Sequence, residues 1–181
     1  MSKLVPGDTE RLCFRRHVMD DAAFIYSLLS DPEHMRYYPR TYSLDEARGW
    51  IQWQLNLYRD HGFGLWALAL KGAADLVGQC GLTIQDVEGD DEIEIGYHIS
   101  KSHWRQGFAS EAASACRDYA FDVLGLERIV ITTAQDNIPS QGVARKVGMS
   151  FAKDYIKVRE GKDIAHRLFT LERANRAPVS E

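Results

Sequence analysis

The sequence predicts a single α+β domain of three layers, in which a mixed central β-sheet carries helices on both faces. Short runs of alternating apolar residues recur on both sides of helix-forming stretches. The middle strands are joined by turns as short as Gly72–Asp75 and Val87–Asp91, which makes antiparallel pairing the simplest arrangement. A strand, a long helix and a β-branched strand then follow one another, which calls for a parallel pair and a right-handed crossover. A chain of 181 residues is most simply one domain, assigned to 9–173 with 1–8 and 174–181 as short tails.

The elements follow in order. Arg11–His17 opens the sheet, with Leu12 and Phe14 alternating against charged neighbours. Asp20 and Asp21 favour a helix start, and the short helix ends at Ser30-Asp31-Pro32, where proline cannot continue the hydrogen-bond ladder. The loop Glu33–Arg40 is aromatic, basic and turn-rich, and is either a substrate lip or a segment packed on the core. Ser43-Leu44-Asp45-Glu46 is a capping box, in which the Ser oxygen meets the N3 amide and the Glu reaches back. Its helix sets Ala47, Trp50, Ile51, Gln54, Leu55 and Tyr58 at three- and four-residue spacing and stops at His61-Gly62. A three-stranded meander is expected over Phe63–Lys71, Leu76–Gln85 and Glu92–Ile99.

From Gly107 a helix places Ala109, Ala112, Ala113, Cys116, Ala120, Val123 and Leu124 on one stripe, small enough to lie close on the sheet, and Gly125 ends it. Glu127–Thr133 is a β-branched run suited to a strand buried on both faces. Asn137-Ile138-Pro139-Ser140 caps and opens a second helix with Val143, Ala144 and Val147 inward and Gly148 at its end. Ala152–Arg159 and Ile164–Leu171 form a terminal hairpin around Glu160–Asp163.

Composition narrows the function. A net charge of −4 argues against nucleic acid as a partner while leaving room for a local basic patch on a small anion. No apolar run approaches the ~20 residues of a membrane span. Met1–Asp8 lacks the apolar core of a signal peptide, so the expected location is the cytoplasm. Cys13, Cys80 and Cys116 read as buried, reduced thiols. With no short-spaced His pair and no Cys-x-x-Cys, no metal site is expected.

The stretch that carries chemistry is Trp104-Arg105-Gln106-Gly107-Phe108-Ala109-Ser110-Glu111, between the strand Glu92–Ile99 and the long helix. A small-residue turn there points backbone N–H groups into one spot, and the helix adds its positive dipole end, which suits a phosphate or pyrophosphate. Alternation on the preceding strand puts Glu92, Glu94 and His98 on one face and Ile93, Ile95, Tyr97 and Ile99 on the other. The apolar face meets the core, so the Glu94 face is free to look into a cleft.

These residues resemble the GNAT superfamily of acetyl-CoA-dependent N-acetyltransferases, and more narrowly the branch containing the ribosomal-protein N-terminal alanine and serine acetyltransferases. Three blocks carry the resemblance over most of residues 9–173: Glu94-Ile95-Gly96-Tyr97 leading through Ile99 to Trp104–Ala112; Asn137-x-x-Ser140 with Lys146-Val147-Gly148-Met149; and the Gly161-Lys162 hairpin with Leu168-Phe169-Thr170-Leu171. The resemblance implies a GNAT-like fold with splayed parallel strands. It also implies transfer of acetyl from acetyl-CoA, with no metal, to a primary amine of a protein N-terminus or small molecule, by direct attack in a ternary complex. The cofactor site it implies is Ile99, Arg105, Gln106, Gly107, Phe108, Ala109, Ser110, Asn137 and Ser140, with Lys101 and His103 as assisting or merely solvated charges. A monomer or homodimer is expected.

Two departures matter. Where many relatives have Gln or Arg three residues before the first Gly, this chain has Trp104. Where many have a Tyr that protonates the leaving sulfur, it has Ala144, and Ser140 is the acid the branch implies. An α-amine with a pKa of ~8 is mostly protonated at pH 7, so a base is required. The resemblance ranks Glu94 first, ahead of Glu92 and His98. The alternative from another class is a non-catalytic acyl-CoA-binding regulatory module.

Overall fold

The computed structural model describes residues 5–176; the tail readings for 1–4 and 177–181 lie outside them. Its elements are β1 (Leu12–Arg15), α1 (Ala22–Leu29), α2 (Leu44–Asp60), β2 (Leu65–Leu70), β3 (Leu76–Val87), β4 (Asp90–Ile99), α3 (Phe108–Asp122), β5 (Arg128–Ala134), α4 (Ile138–Lys146), β6 (Ser150–Arg159) and β7 (Lys162–Glu172). They form one sheet in the order β1-β2-β3-β4-β5-β7-β6. The fold is the expected three-layer α+β arrangement. The meander β1 to β4 is antiparallel, β4 and β5 run parallel, and β7 folds back between β5 and β6.

Local chemistry explains the element ends. The Ser43 hydroxyl accepts the Glu46 N–H at 3.3 Å, and Ser43 N–H donates to the Glu46 carboxylate at 2.8 Å, completing the capping box of α2. The β3–β4 turn is tighter than the Val87–Asp91 segment expected. Pairing continues to Val87 and Asp90, and Glu88 and Gly89 turn the chain with φ of 57° and 96°. At Gly81 a Cβ would sit 2.0 Å from the Gly64 carbonyl oxygen, so a side chain there would force β2 and β3 apart.

The main core lies between α3 and the sheet. Ala112, Ala113, Cys116 and Ala120 are fully buried against Cys80, Leu82, Ile95 and Ile131. Val123 departs from the expected stripe: α3 ends at Asp122, and Val123 is 40% exposed. A second cluster under α1 and α2 holds Ile25, Leu29, Met35, Ala47 and Ile51. Cys80 and Cys116 are buried free thiols, whereas Cys13 is half-buried. Ordered contacts run past the 9–173 bounds at both ends. Val5 packs on the main core, and Arg176 pairs with Asp118 at 3.0 Å and Asp122 at 2.6 Å. Among the described residues no helix is long and apolar enough to cross a membrane.

Candidate active site

The sheet is open where the parallel strands meet. β4 and β5 share one partner pair, Glu94 with Val130, and then diverge. Thr132, two residues beyond that pair on β5, donates its backbone N–H to Glu94 Oε1 at 3.0 Å and its hydroxyl to the same oxygen. The carboxylate thus takes a backbone donor that the diverging strand leaves. The gap widens into a cleft of about 830 Å³. Alternation along β4 gives its two walls different characters. Glu94 and His98 project to the side covered by α2, while Tyr97 projects to the side of α3 and α4, where its hydroxyl lies 2.6 Å from Ser140 Oγ.

At one end of the cleft is the turn into α3. Arg105 and Gly107 have φ of 60° and 87°, and this alternation of left-handed residues rotates successive amides toward a common side. The first bond of α3 runs from Glu111 N–H to the Gly107 carbonyl at 3.0 Å. The amides before Glu111 therefore open the helix with no acceptor of their own inside it. Arg105, Gly107, Phe108, Ala109 and Ser110 all line the cleft. The turn is braced from the other end of the chain. Arg11 donates to the Gln106 carbonyl at 3.0 Å, pairs with Glu111 at 2.6 Å, and lies 4.2 Å from the Phe108 ring centre.

Of the residues singled out in the sequence, Glu94, Ile99, Arg105, Gly107, Phe108, Ala109, Ser110, Asn137 and Ser140 line this one cleft. Gln106 does not: its amide donates to the Ser102 carbonyl at 3.0 Å. Asn137 caps α4, its side-chain oxygen accepting the Ser140 N–H at 3.2 Å. Glu92 is engaged by Arg128 at 3.0 Å, away from the cleft. Lys101 is held by Asp31 and Glu33 at 3.0 and 2.7 Å, and His103 accepts or donates to Ser100 Oγ at 2.7 Å. Trp104, unexplained in the sequence, donates its indole N–H to the Ile99 carbonyl at 2.6 Å and closes the end of β4.

The sequence offers His98 as a base and the 33–40 loop as a lip, but not that the two meet to form the opposite wall. His34 Nε2 is 2.9 Å from His98 Nδ1, and the Tyr38 hydroxyl is 3.3 Å from His98 Nε2. Burial pushes His98 down to about 3, with the neighbouring His34 and Arg159 acting in the same direction, and burial pushes His34 down to about 4. Both rings are therefore neutral near pH 7. Burial also raises the Tyr97 phenol, outweighing the lowering effect of its bond to Ser140. The aromatic loop 33–40 was a possible lip on composition. It is both lip and core: His34 and Tyr38 face the cleft while Met35 is 2% exposed beneath. Among the described residues no three His, Cys, Asp or Glu side chains gather as a metal site.

A parallel strand pair that parts around a cleft, with an amide-rich helix start at one end, is an α+β architecture suited to an extended ligand with an anionic end. The chain matches the acetyltransferase (GNAT) domain over residues 11–150 and belongs to that family. It is 34% identical over 146 residues to the protein YkkB of Bacillus subtilis (strain 168), covering 80% of this chain and 85% of that one. It is 32% identical over 168 residues to the N-acetyltransferase p20 of Bacillus licheniformis, covering 90% and 93%. Among solved structures, a GNAT-family acetyltransferase from Bacillus anthracis superposes with a TM-score of 0.78 at 24% identity, covering 94% of this chain and 99% of that one. The same fold recurs, at a TM-score of 0.74 and 17% identity, in a ribosomal L7/L12 α-N-protein acetyltransferase in complex with coenzyme A, over 94% and 98% of the chains. It recurs again in a Vibrio cholerae spermidine N-acetyltransferase in complex with CoA and spermine, at 0.72 and 19%, over 91% and 96%.

Proposed function

We propose that this protein transfers an acetyl group from acetyl-CoA to a primary amine by direct attack in a ternary complex. The observation that carries the reading is the single-pair seam between β4 and β5, with an amide-lined turn at one end and a carboxylate at its base. CoA-bound neighbours support the choice of cofactor. In this reading the amides of Gly107 to Ser110 and the Arg105 guanidinium receive the pyrophosphate, and the pantetheine lies in the gap beside the edge of β4.

The acceptor approaches from the α2 side. Glu94, directly or through one water, takes the proton that keeps the amine non-nucleophilic. The amine nitrogen then forms a bond to the thioester carbon, and the resulting oxyanion meets backbone N–H groups of the parted strands. As the C–S bond breaks, the sulfur takes a proton from Ser140 Oγ while the former amine nitrogen gives up its second proton to cleft water, which restores the Ser140–Tyr97 pair, and Glu94 releases the first proton to solvent. Tyr97, 2.6 Å behind that oxygen, positions it and can return the proton. Tyr97 thereby fills part of the role that Ala144 cannot. No covalent enzyme intermediate enters, and the buried Cys116, whose thiol burial and Cys80 push upward, is unsuited to form one.

The test is thiol release from acetyl-CoA across N-terminal peptides, amino acids, polyamines and aminoglycosides, with the product confirmed by mass. Turnover with at least one amine is expected. Thermal stabilisation by acetyl-CoA with no turnover across the panel would favour the non-catalytic regulatory module instead.

A further inference from the structure

The acceptor half of the cleft carries more positive than negative charge. β6 turns Ile156 and Val158 outward, 55% and 66% exposed, and Tyr155, Lys157 and Arg159 inward. Lys157 and Arg159, two residues apart on one face, both line the cleft, and Arg36 joins them from the 33–40 loop. Lys157 Nζ donates to Gln85 Oε1 at 2.9 Å, a neutral acceptor. The Arg159 guanidinium lies 5.0 Å from the Tyr38 ring centre. Among the described residues neither cation has a carboxylate in ion-pair contact. Asp86 and Glu94 act on Lys157 only at longer range.

The two carboxylates that line the cleft are otherwise engaged: Glu33 pairs with Lys101 at 2.7 Å, and Glu94 takes both donors of Thr132. Half-buried cations without a counter-charge are unfavourable, and burial does lower the Lys157 ammonium. Bound anion would relieve that cost. A polycation, by contrast, would enter a half-cleft that already holds Arg36, Lys157 and Arg159 against one uncommitted carboxylate oxygen of Glu94.

We propose that Lys157 and Arg159 form a subsite for an anionic group carried by the acceptor itself. The acceptor class is a short zwitterion, an amino carboxylate, whose amine reaches Glu94 while its carboxylate rests on the two cations. This deepens the acetyl-transfer reading and rests on it. Lys157 reaches Gln85 on β3, two residues from Thr83, which is the partner of Glu94 in the β3–β4 register, and this nearness fits a short acceptor. The arrangement disfavours polyamines, whatever the fold shares with enzymes that acetylate them.

The experiment pairs each free amino acid with its carboxamide, O-phosphoethanolamine with ethanolamine, and adds spermidine. Thiol release from acetyl-CoA is measured for wild type, Lys157→Met and Arg159→Gln. For the preferred amino acid, the acid-to-amide ratio of kcat/KM should fall about tenfold or more in each variant. Comparing ratios between proteins cancels amine basicity and any general loss of activity. Spermidine should be the poorest substrate of the wild type. A phosphoethanolamine preference that collapses in the same variants would keep the subsite and assign it to phosphate. Preference for amides or spermidine, or a ratio that survives both substitutions, overturns the proposal. If no amine turns over, the acetyl-transfer reading fails by itself, and the subsite is read by calorimetry of the same amino acids on CoA-loaded protein. Binding lost in Lys157→Met then supports it; no binding to wild type overturns it.

Discussion

Replacing Tyr97 and Ser140 singly and together tests whether two hydroxyls 2.6 Å apart deliver one proton. Ser140→Ala removes the proposed acid, and losing a positioned proton donor costs about 10²-fold or more in kcat. Tyr97→Phe keeps the ring packed on the core but strips both Ser140 Oγ and the Ser140 carbonyl, 3.3 Å from the phenol oxygen, of their partner. Leaving a half-buried hydroxyl without its partner costs up to ~1–3 kcal/mol, which corresponds to at most roughly 5- to 150-fold if it falls on the transition state. If the two act as a unit, the double variant is no slower than the slower single one, a coupling of ~1–3 kcal/mol. Neither change touches the pyrophosphate turn, so KM for acetyl-CoA should move less than threefold while kcat falls. Thermal melts separate the structural share: each lost hydrogen bond lowers Tm by about 2–4 °C in a chain of this size, and Tyr97→Phe gives up two. Effects that simply multiply, or single variants within twofold of wild type, would refute a shared proton path.

Three further outcomes follow from the same geometry. Gly107→Glu should abolish CoA binding by calorimetry, since it strains the φ of 87° that aims the turn's amides and brings a Cβ within 3.4 Å of Arg11 Nη2, the group that braces the turn; the strain costs only ~1–2 kcal/mol, so a melt should still report a folded protein, and unchanged affinity would sink the assignment. Glu94→Gln should slow turnover tenfold or more at pH 7 and recover toward pH 9, where the amine sheds its own proton; a pH-independent deficit would remove Glu94 as the base. His98 and His34 fold as neutral rings held down to about 3 and about 4, whereas in the unfolded chain they protonate near 6.5. Their contribution is complete above pH ~6.5 and is lost progressively as pH falls toward 3 to 4, so urea denaturation should find the protein about 3–4 kcal/mol less stable at pH 5 than at pH 7. A flat profile would mean the rings protonate in place.

What could be read from the sequence was what is decided locally. The turn Arg105–Ser110, the Asn137 cap and the capping box at Ser43 depend on neighbours within four residues, and each lies where spacing put it. The Glu94 face of β4 followed from alternation. Residues that meet across long separations were out of reach. Arg11 braces a turn some hundred residues away through Glu111, and His34 reaches His98 across 64 positions. Tyr97 was legible as a core residue, yet its hydroxyl end meets Ser140, because β4 borders both the core and the gap. Lys157 and Arg159 alternated visibly with Ile156 and Val158. Which side of that hairpin would be covered depended on β7 slipping between β5 and β6, a choice of topology that a single strand's pattern does not encode.

One strand pair joins the two halves of this sheet, and that has a mechanical meaning. Along β4–β5 the backbone contributes a single partner position, whereas β3 and β4 share ten. The molecule is thus two sheet fragments riveted at Glu94 and Val130 and strapped by α3. A ligand threaded through the seam would work as a removable eighth strand, stiffening the whole sheet as it binds and leaving it compliant once released. Turnover would then carry a cycle of tightening and slackening, with Glu94 standing at the pivot.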